Sequence, residues 1–187
     1  MKQISLSLFF FFFVLTIQSQ NFTLDQIKSY PFPNELTGSL QSSRIAWAFD
    51  EEGLRNIYVA EAPKYVSRKL TGYMEDTGQE LSSVSISADG NWVIYIRGGD
   101  FGSNWDDELP VNPTFEPFPP KVQIWSIPFN GGDPILIDEG TGPVISPNSD
   151  KIAFIKSGQI WVSPIDGEGE PTKLFHSRGT NGSQVWS

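Results

Sequence analysis

The residues best suited to chemistry lie in one long polar stretch between two apolar runs. Arg97 begins it, and an aromatic residue and three successive acids follow, namely Trp105, Asp106, Asp107 and Glu108. Carboxylates beside an indole ring can hold a cation through charge-assisted hydrogen bonds and aromatic contact. We therefore predict that these five residues contact a substrate, and that the acids bind the amino terminus of a peptide. The alternative is an acidic, solvated loop held by its prolines.

The length of this stretch, residues 98–121, also favours a functional role. Loops longer than about 12 to 15 residues are usually functional or disordered. Four aromatic residues give the stretch anchors that a disordered linker would lack, so we expect an ordered excursion: Phe101, Trp105, Phe115 and Phe118. Its adjacent acids do not reproduce the alternating ligand spacing of calcium loops, and no metal site is predicted.

Catalytic motifs are missing from the sequence. There is no G-x-S-x-G nucleophile elbow, no H-E-x-x-H zinc motif and no glycine-rich nucleotide-binding motif. The single histidine, His176, has no nucleophile motif to serve and is interpreted as a surface residue. We predict no catalytic residue and no cofactor within these 187 residues.

Charge and the first residues bear on partners and location. A net charge of -9 disfavours nucleic acid and anionic membrane surfaces, since both require a basic face. Residues 1–19 resemble a secretory signal, with Lys2 before an apolar stretch from Ile4 to Ile17 and the small Ser19 near its end. This stretch is shorter than the roughly 20 residues of a membrane span, although an uncleaved anchor is the alternative. We expect an exported protein, periplasmic or extracellular, with no membrane span after cleavage.

A repeating pattern of four short β-runs organises the rest of the chain. Its clearest copy covers residues 142–175, earlier copies cover 44–72 and 81–138, and 183–187 begins another; residues 20–43 form a leader and the start of the propeller. Four-stranded units of about 40 to 45 residues are the size of propeller blades, which stack and cover each other's faces. The predicted fold is therefore all-β, a partial β-propeller of about three four-stranded antiparallel blades in an open ring. A β-sandwich is the alternative.

Two further expectations concern the ends of the chain. Thr23 is predicted to cap a short helix that must end at Pro31, and Leu24 and Ile27 on that helix are expected to pack against the ring. Because propellers need at least four blades to close, we expect this sequence to be part of a longer polypeptide.

The repeats resemble those of TolB-like propellers. The motifs that show this resemblance are residues 145–154 (ISPNSDKIAF), residues 159–162 (QIWV) and the Ser87-Ala88-Asp89-Gly90 turn. Together with the signal and the insertion, they resemble the N-terminal propeller of secreted prolyl oligopeptidase family peptidases, including dipeptidyl peptidase-like members. Residues Asn148 and Ser149 depart from the usual Asp-Gly turn.

This resemblance implies a function. In that family an α/β-hydrolase domain follows the propeller and supplies the catalytic Ser, Asp and His, while the propeller restricts entry to short peptides. The expected function is thus the substrate-gating part of an exported serine peptidase, with a peptide substrate and its own hydrolase domain as partners. The alternative is a non-catalytic periplasmic TolB-like propeller that acts as a protein-interaction module.

Overall fold

The computed structural model describes residues 22–98 and 121–187. It contains three antiparallel sheets of four strands each, and each sheet is built from four consecutive strands in chain order. The first sheet comprises β1 (Phe32–Gly38), β2 (Arg44–Glu51), β3 (Leu54–Glu61) and β4 (Arg68–Lys69). The second comprises β5 (Leu81–Ile86), β6 (Trp92–Arg97), β7 (Gln123–Pro128) and β8 (Ile135–Glu139). The third comprises β9 (Thr141–Ile145), β10 (Lys151–Lys156), β11 (Gln159–Pro164) and β12 (Thr172–Lys173).

This arrangement confirms the predicted partial, open β-propeller. The first sheet begins at Phe32, earlier than the blade boundary at residue 44 that the sequence indicated. A short helix, α1 (Leu24–Lys28), precedes it, and Thr23 caps this helix with a reciprocal hydrogen bond to Gln26. The expectation that Leu24 and Ile27 pack against the ring is wrong, because both are exposed.

The second sheet is buried on both faces, and β6 shows why its sequence is apolar at successive positions. Val93 and Tyr95 belong to the core shared with the first sheet, whereas Ile94 and Ile96 belong to the core shared with the third. Since side chains alternate along a strand, a strand between two cores must be apolar on both sides. The run Trp92-Val93-Ile94-Tyr95-Ile96 is therefore the signature of a central blade.

Both sheet interfaces combine aliphatic side chains with large aromatic rings. Between the first and second sheets, Ala46 and Ala48 of β2 share a core with Tyr95, and Trp125 packs against it. Between the second and third sheets, Ile94 and Ile96 share a core with Phe154, and Trp161 packs against it. Rings and aliphatic side chains of different sizes can interdigitate, as close packing between sheets requires.

The first sheet carries a second, aromatic cluster outside the core that it shares with the second sheet. Trp47 stacks on Tyr58 at a centroid distance of 6.0 Å, and Phe49 meets Tyr58 edge-on at 4.9 Å. A groove of about 520 Å³ lies on this face and is lined mainly by apolar side chains, among them Leu36 and Ile45. The first sheet thus carries a groove lined by aromatic and aliphatic side chains, the same kinds that the two internal interfaces bury.

A left-handed residue recurs in the first strand of every unit, four positions before a turn serine. The left-handed residues have φ of 58° (Glu35), 50° (Ser83), 59° (Gly142) and 57° (Ser183), and the serines are Ser39, Ser87, Ser146 and Ser187. In the first three units the strand pairing shifts register here. Residues 183–187 repeat the left-handed residue and the serine at this spacing, and the Trp186 indole donates to the Val144 carbonyl at 3.0 Å.

The serine turns themselves are equivalent in detail. The backbone amides of Ser39, Ser87 and Ser146 each donate to a carbonyl five residues ahead, at 2.8 to 2.9 Å. Ser149 adopts φ of 61° where the second unit has Gly90 at 78°. The departure from the usual Asp-Gly sequence therefore leaves the shape of the turn unchanged.

Candidate functional site

The candidate site lies where the first two sheets meet, on the rim that carries the β2–β3 turn. The chain leaves the second sheet at Gly98 and returns to it at Lys121, and these two residues touch. A Cβ atom at Gly98, whose φ is 109°, would lie 1.9 Å from the Lys121 carbonyl oxygen. Only glycine permits this approach and this backbone conformation. The predicted insertion therefore has a closed base on the rim.

Arg97, the last residue of β6, stands at this base. Its guanidinium carbon lies 4.5 Å from the centroid of the Tyr73 ring, within cation–π range. Its Nη2 atom lies 3.5 Å from Thr77 Oγ1, at the long limit of a hydrogen bond. Both partners belong to the connector between β4 and β5, so Arg97 bridges the second sheet and the connector.

Tyr73 is itself part of a buried pair. Its hydroxyl lies 2.8 Å from that of Tyr95, which is wholly buried between the sheets. Burial raises the pKa of both phenols, and the nearby Arg97 charge offsets only part of this effect. Both hydroxyls therefore stay protonated in the folded protein at neutral pH, and the pair acts as a fixed hydrogen-bonding unit rather than as an acid or base.

Asn56 fixes the backbone of Tyr73. This residue of β3 is completely buried. Its Oδ1 accepts from the Tyr73 amide at 2.8 Å and from Thr71 Oγ1 at 2.9 Å, and its Nδ2 donates to the Tyr73 carbonyl at 3.0 Å. Polar atoms buried in proteins nearly always have hydrogen-bond partners, and both polar atoms of the Asn56 side chain do.

Arg55 ties the same connector down from the β2–β3 hairpin. Its guanidinium nitrogens lie 3.2 Å from Asp50, 3.6 Å from Asp76 and 3.4 Å from Glu80. Glu80 lies just before β5, so these ion pairs cross from the first sheet to the start of the second. Three acids on this part of the rim thus share one protein cation.

Space at the site is small. The cleft lined by Arg55, Tyr73, Thr77 and Arg97 has a volume of about 10 Å³, which is the room one water molecule needs. Arg97 and its described neighbours therefore form a packed base and not a ligand-sized pocket. Within residues 22–98 and 121–187 no group of three or more His, Cys, Asp or Glu is arranged to hold a metal ion.

The other predicted site residues, Trp105, Asp106, Asp107 and Glu108, lie outside the described residues, as do the predicted signal residues 1–19. His176 is exposed, in agreement with its interpretation as a surface residue. Among the described residues, no helix is long and apolar enough to cross a membrane.

Sequence reasoning missed the amide that holds the connector. A signal was present, because the third strand of each sheet contains an amide residue, an isoleucine and an aromatic residue in succession: Asn56-Ile57-Tyr58, Gln123-Ile124-Trp125 and Gln159-Ile160-Trp161. The recurring amide residue was not interpreted. Their partners lie in connectors too variable in sequence to be aligned.

Comparison with known proteins establishes the fold of this chain but not its family. No family model and no curated protein matches the chain. Among solved structures, a prolyl endopeptidase matches at 14% identity with a TM-score of 0.56, over 81% of this chain and 23% of its own. The β-propeller domain of the trilobed protease from Pyrococcus furiosus, described as having an open velcro topology, matches at 12% identity and a TM-score of 0.52, over 80% and 44%. A putative TolB from Agrobacterium tumefaciens matches at 18% identity and 0.49, over 82% and 52%.

The coverage shows that this chain spans about half the length or less of each of these structures. At such identities the likeness establishes the β-propeller fold alone. Both of these neighbours with TM-scores above 0.5 are peptidases, and TolB proteins also occur among the matches.

Proposed function

We propose that this chain is the substrate-gating propeller portion of an exported serine peptidase that hydrolyses short peptides. The observation that carries the proposal is the closed base of the insertion on the rim. The chain departs from the second sheet at Gly98 and returns at Lys121, and these two residues meet beside Arg97. An insertion anchored at one point can contact a peptide that enters at this rim without disturbing the sheets.

Three further observations support the proposal. Two of the structures that share the fold with TM-scores above 0.5 are a prolyl endopeptidase and a trilobed protease. The free aromatic face of the first sheet is suited to packing against a further sheet, as a larger propeller requires. The signal-like residues 1–19 favour export, and a peptide substrate would then be extracellular or periplasmic.

The first test asks whether the gene product is a serine hydrolase. The complete product is treated with a fluorophosphonate probe beside the 187-residue chain alone. We expect the probe to label the complete product at a serine beyond Ser187 and to leave the shorter chain unlabelled. An unlabelled complete product without a G-x-S-x-G motif would refute the peptidase and assign the chain to the alternative, a propeller that serves as a protein-interaction module.

The second test concerns the acids of the insertion. Replacing Asp106, Asp107 and Glu108 with alanine in the complete product should raise KM for peptides with a free amino terminus roughly ten- to a hundredfold, the effect of losing one or two charge-assisted hydrogen bonds. N-acetylated peptides should be unaffected. The matched control changes three acids of the β11–β12 connection: Asp166, Glu168 and Glu170. An equal effect in this control, or no effect in the first variant, would assign the acids to a solvated loop.

A further inference from the structure

The buried amide of Asn56 belongs to the first sheet, yet it holds the backbone of Tyr73 in the connector that follows that sheet. Its three hydrogen bonds reach the amide and the carbonyl of Tyr73 and the hydroxyl of Thr71. Thr71 in turn accepts from the Ile57 amide at 2.9 Å. One side chain thus holds both backbone groups of Tyr73, and the hydroxyl contact with Tyr95 holds the far end of its ring.

Tyr73 in turn contacts Arg97. The phenol ring of Tyr73 lies against the guanidinium at 4.5 Å, and its hydroxyl is anchored on the buried Tyr95. Stacking engages one face of the planar guanidinium, whereas its N–H groups point outwards in the plane. A guanidinium held in this way presents its donors in a fixed direction at the base of the insertion.

The same device recurs without the stack in the third sheet. Gln159 occupies the position of Asn56 at the head of β11. Its Oε1 accepts from the Ser177 amide and its Nε2 donates to the Gly179 carbonyl, both at 3.0 Å. In the segment after β12, Gln159 holds Ser177 and Gly179, whereas in the connector between β4 and β5 Asn56 holds Tyr73. The amide tie is thus shared by these two units, and its coupling to an arginine is specific to the first connector.

We propose that Asn56 is the positioning residue for Arg97, acting through Tyr73, and that Arg97 donates to an oxygen of the bound peptide, either a carbonyl or a carboxylate. The choice of ligand rests on the proposed function, whereas the positioning does not. In this arrangement Asn56 never touches the peptide. It sets the direction of the guanidinium through the intervening Tyr73 side chain.

The experiment measures the Arg97 Nε–H resonance by NMR in the full 187-residue chain. Because the guanidinium lies over the Tyr73 ring, we expect an upfield ring-current shift in the unmodified chain that disappears in Tyr73→Leu. Asn56→Ala should lose most of this shift. The matched control, Gln159→Ala, removes the same kind of tie from the third sheet and should leave the Arg97 shift unchanged. An unchanged shift in Asn56→Ala, or an equal loss in Gln159→Ala, would overturn the proposal.

A second variant covers the case in which Asn56→Ala does not fold. Asn56→Asp keeps the shape and one acceptor but, when ionised, sets an oxygen against the Tyr73 carbonyl in place of a donor. The Arg97 shift should be lost at neutral pH and recover on acidification, as the protonated carboxyl donates to that carbonyl again. The unmodified chain is measured over the same pH range, so that the effect of other titrating groups on the Arg97 shift can be subtracted. A shift that does not depend on pH in the variant would refute the tie.

The ligand is tested separately in the complete product with peptide amides and free peptide acids. Arg97→Gln and Asn56→Asp should both raise KM several-fold at neutral pH and leave kcat largely unchanged. If the product has no peptidase activity, the proposed function fails while the NMR result still decides the positioning. If activity is present and neither variant moves KM, the contact between Arg97 and the peptide is refuted.

Discussion

Gly98 offers the sharpest test of the closed base on the rim. Alanine at this position must adopt a φ of 109°, and its Cβ atom would lie 1.9 Å from the Lys121 carbonyl oxygen and 2.9 Å from the carbonyl carbon. Both atoms are backbone and cannot rotate away, so Gly98 and Lys121 must separate. A disfavoured φ costs about 1–3 kcal/mol, and overpacking of this kind adds about 1–3 kcal/mol. We expect Gly98→Ala to lower the free energy of unfolding by about 4 kcal/mol.

Two other glycines of the chain separate these contributions. Gly131 has nearly the same φ, 111°, but its Cβ atom would meet only Arg68 Nη1 at 4.0 Å, so Gly131→Ala reports the conformational cost alone. A Cβ atom at Gly72 would meet no other atom within 4 Å, and the φ of Gly72 is not positive. Gly72→Ala should therefore stay within about 0.5 kcal/mol of the unmodified chain.

The assay is urea denaturation followed by tryptophan fluorescence, with the m-value checked for each variant. Gly98→Ala should lose about 2 kcal/mol more than Gly131→Ala, since only the former has the backbone collision. If the two variants lose the same free energy, Gly98 and Lys121 are not in contact. The closed base, and with it the observation that carries the proposed function, would then be refuted.

Three further outcomes are expected. Phe154→Ala should lower the free energy of unfolding by about 3–5 kcal/mol in the same assay, because this ring is wholly buried between the second and third sheets. Leu40 is 89% exposed, so Leu40→Ala should lower it by less than about 0.5 kcal/mol. Stability should fall as the pH rises above about 10, because tyrosines in the unfolded chain ionise there while burial raises the pKa of Tyr95 in the folded chain. Tyr95→Phe should reduce this loss of stability, measured as the urea midpoint from about pH 8 to 11. Burial alone would raise the pKa of Asp89, but hydrogen bonds from Ser87, Asn91 and Ser149 lower this pKa below its ordinary value of 3.8. The stability that Asp89 confers at neutral pH is therefore lost on acidification through and below that value. Asp89→Asn should remove this part of the acid loss, and an unchanged acid profile would show that those hydrogen bonds contribute nothing.

Most of the fold follows from local patterns in the sequence. Alternating apolar runs between turn residues predict antiparallel strands, and their recurrence predicts stacked sheets. The strand β1 was the exception, because Phe32-Pro33-Asn34-Glu35 contains residues that rarely occur inside strands. Its place is determined by pairing with β2, from Phe32 against Asp50 to Gly38 against Ile45, and no property of the segment alone specifies that partner.

The site divides in the same way. Arg97 and the acids that follow it were predicted as site residues from residue type and from the length of the insertion. The partners of Arg97 could not be, since Thr77 and Tyr73 lie 20 or more residues away in a connector without a pattern of its own.

What the sequence determined by itself is the repeat: short β-runs, serine turns and paired apolar faces, all of which depend on neighbours within a few residues. Only the tertiary structure decided that Gly98 touches Lys121, that Asn56 holds the backbone of Tyr73, and which apolar faces share a core. These contacts depend on how the sheets and connectors are placed in space. Hydrogen bonds and packing between groups distant in the chain leave no periodic trace in the order of the residues.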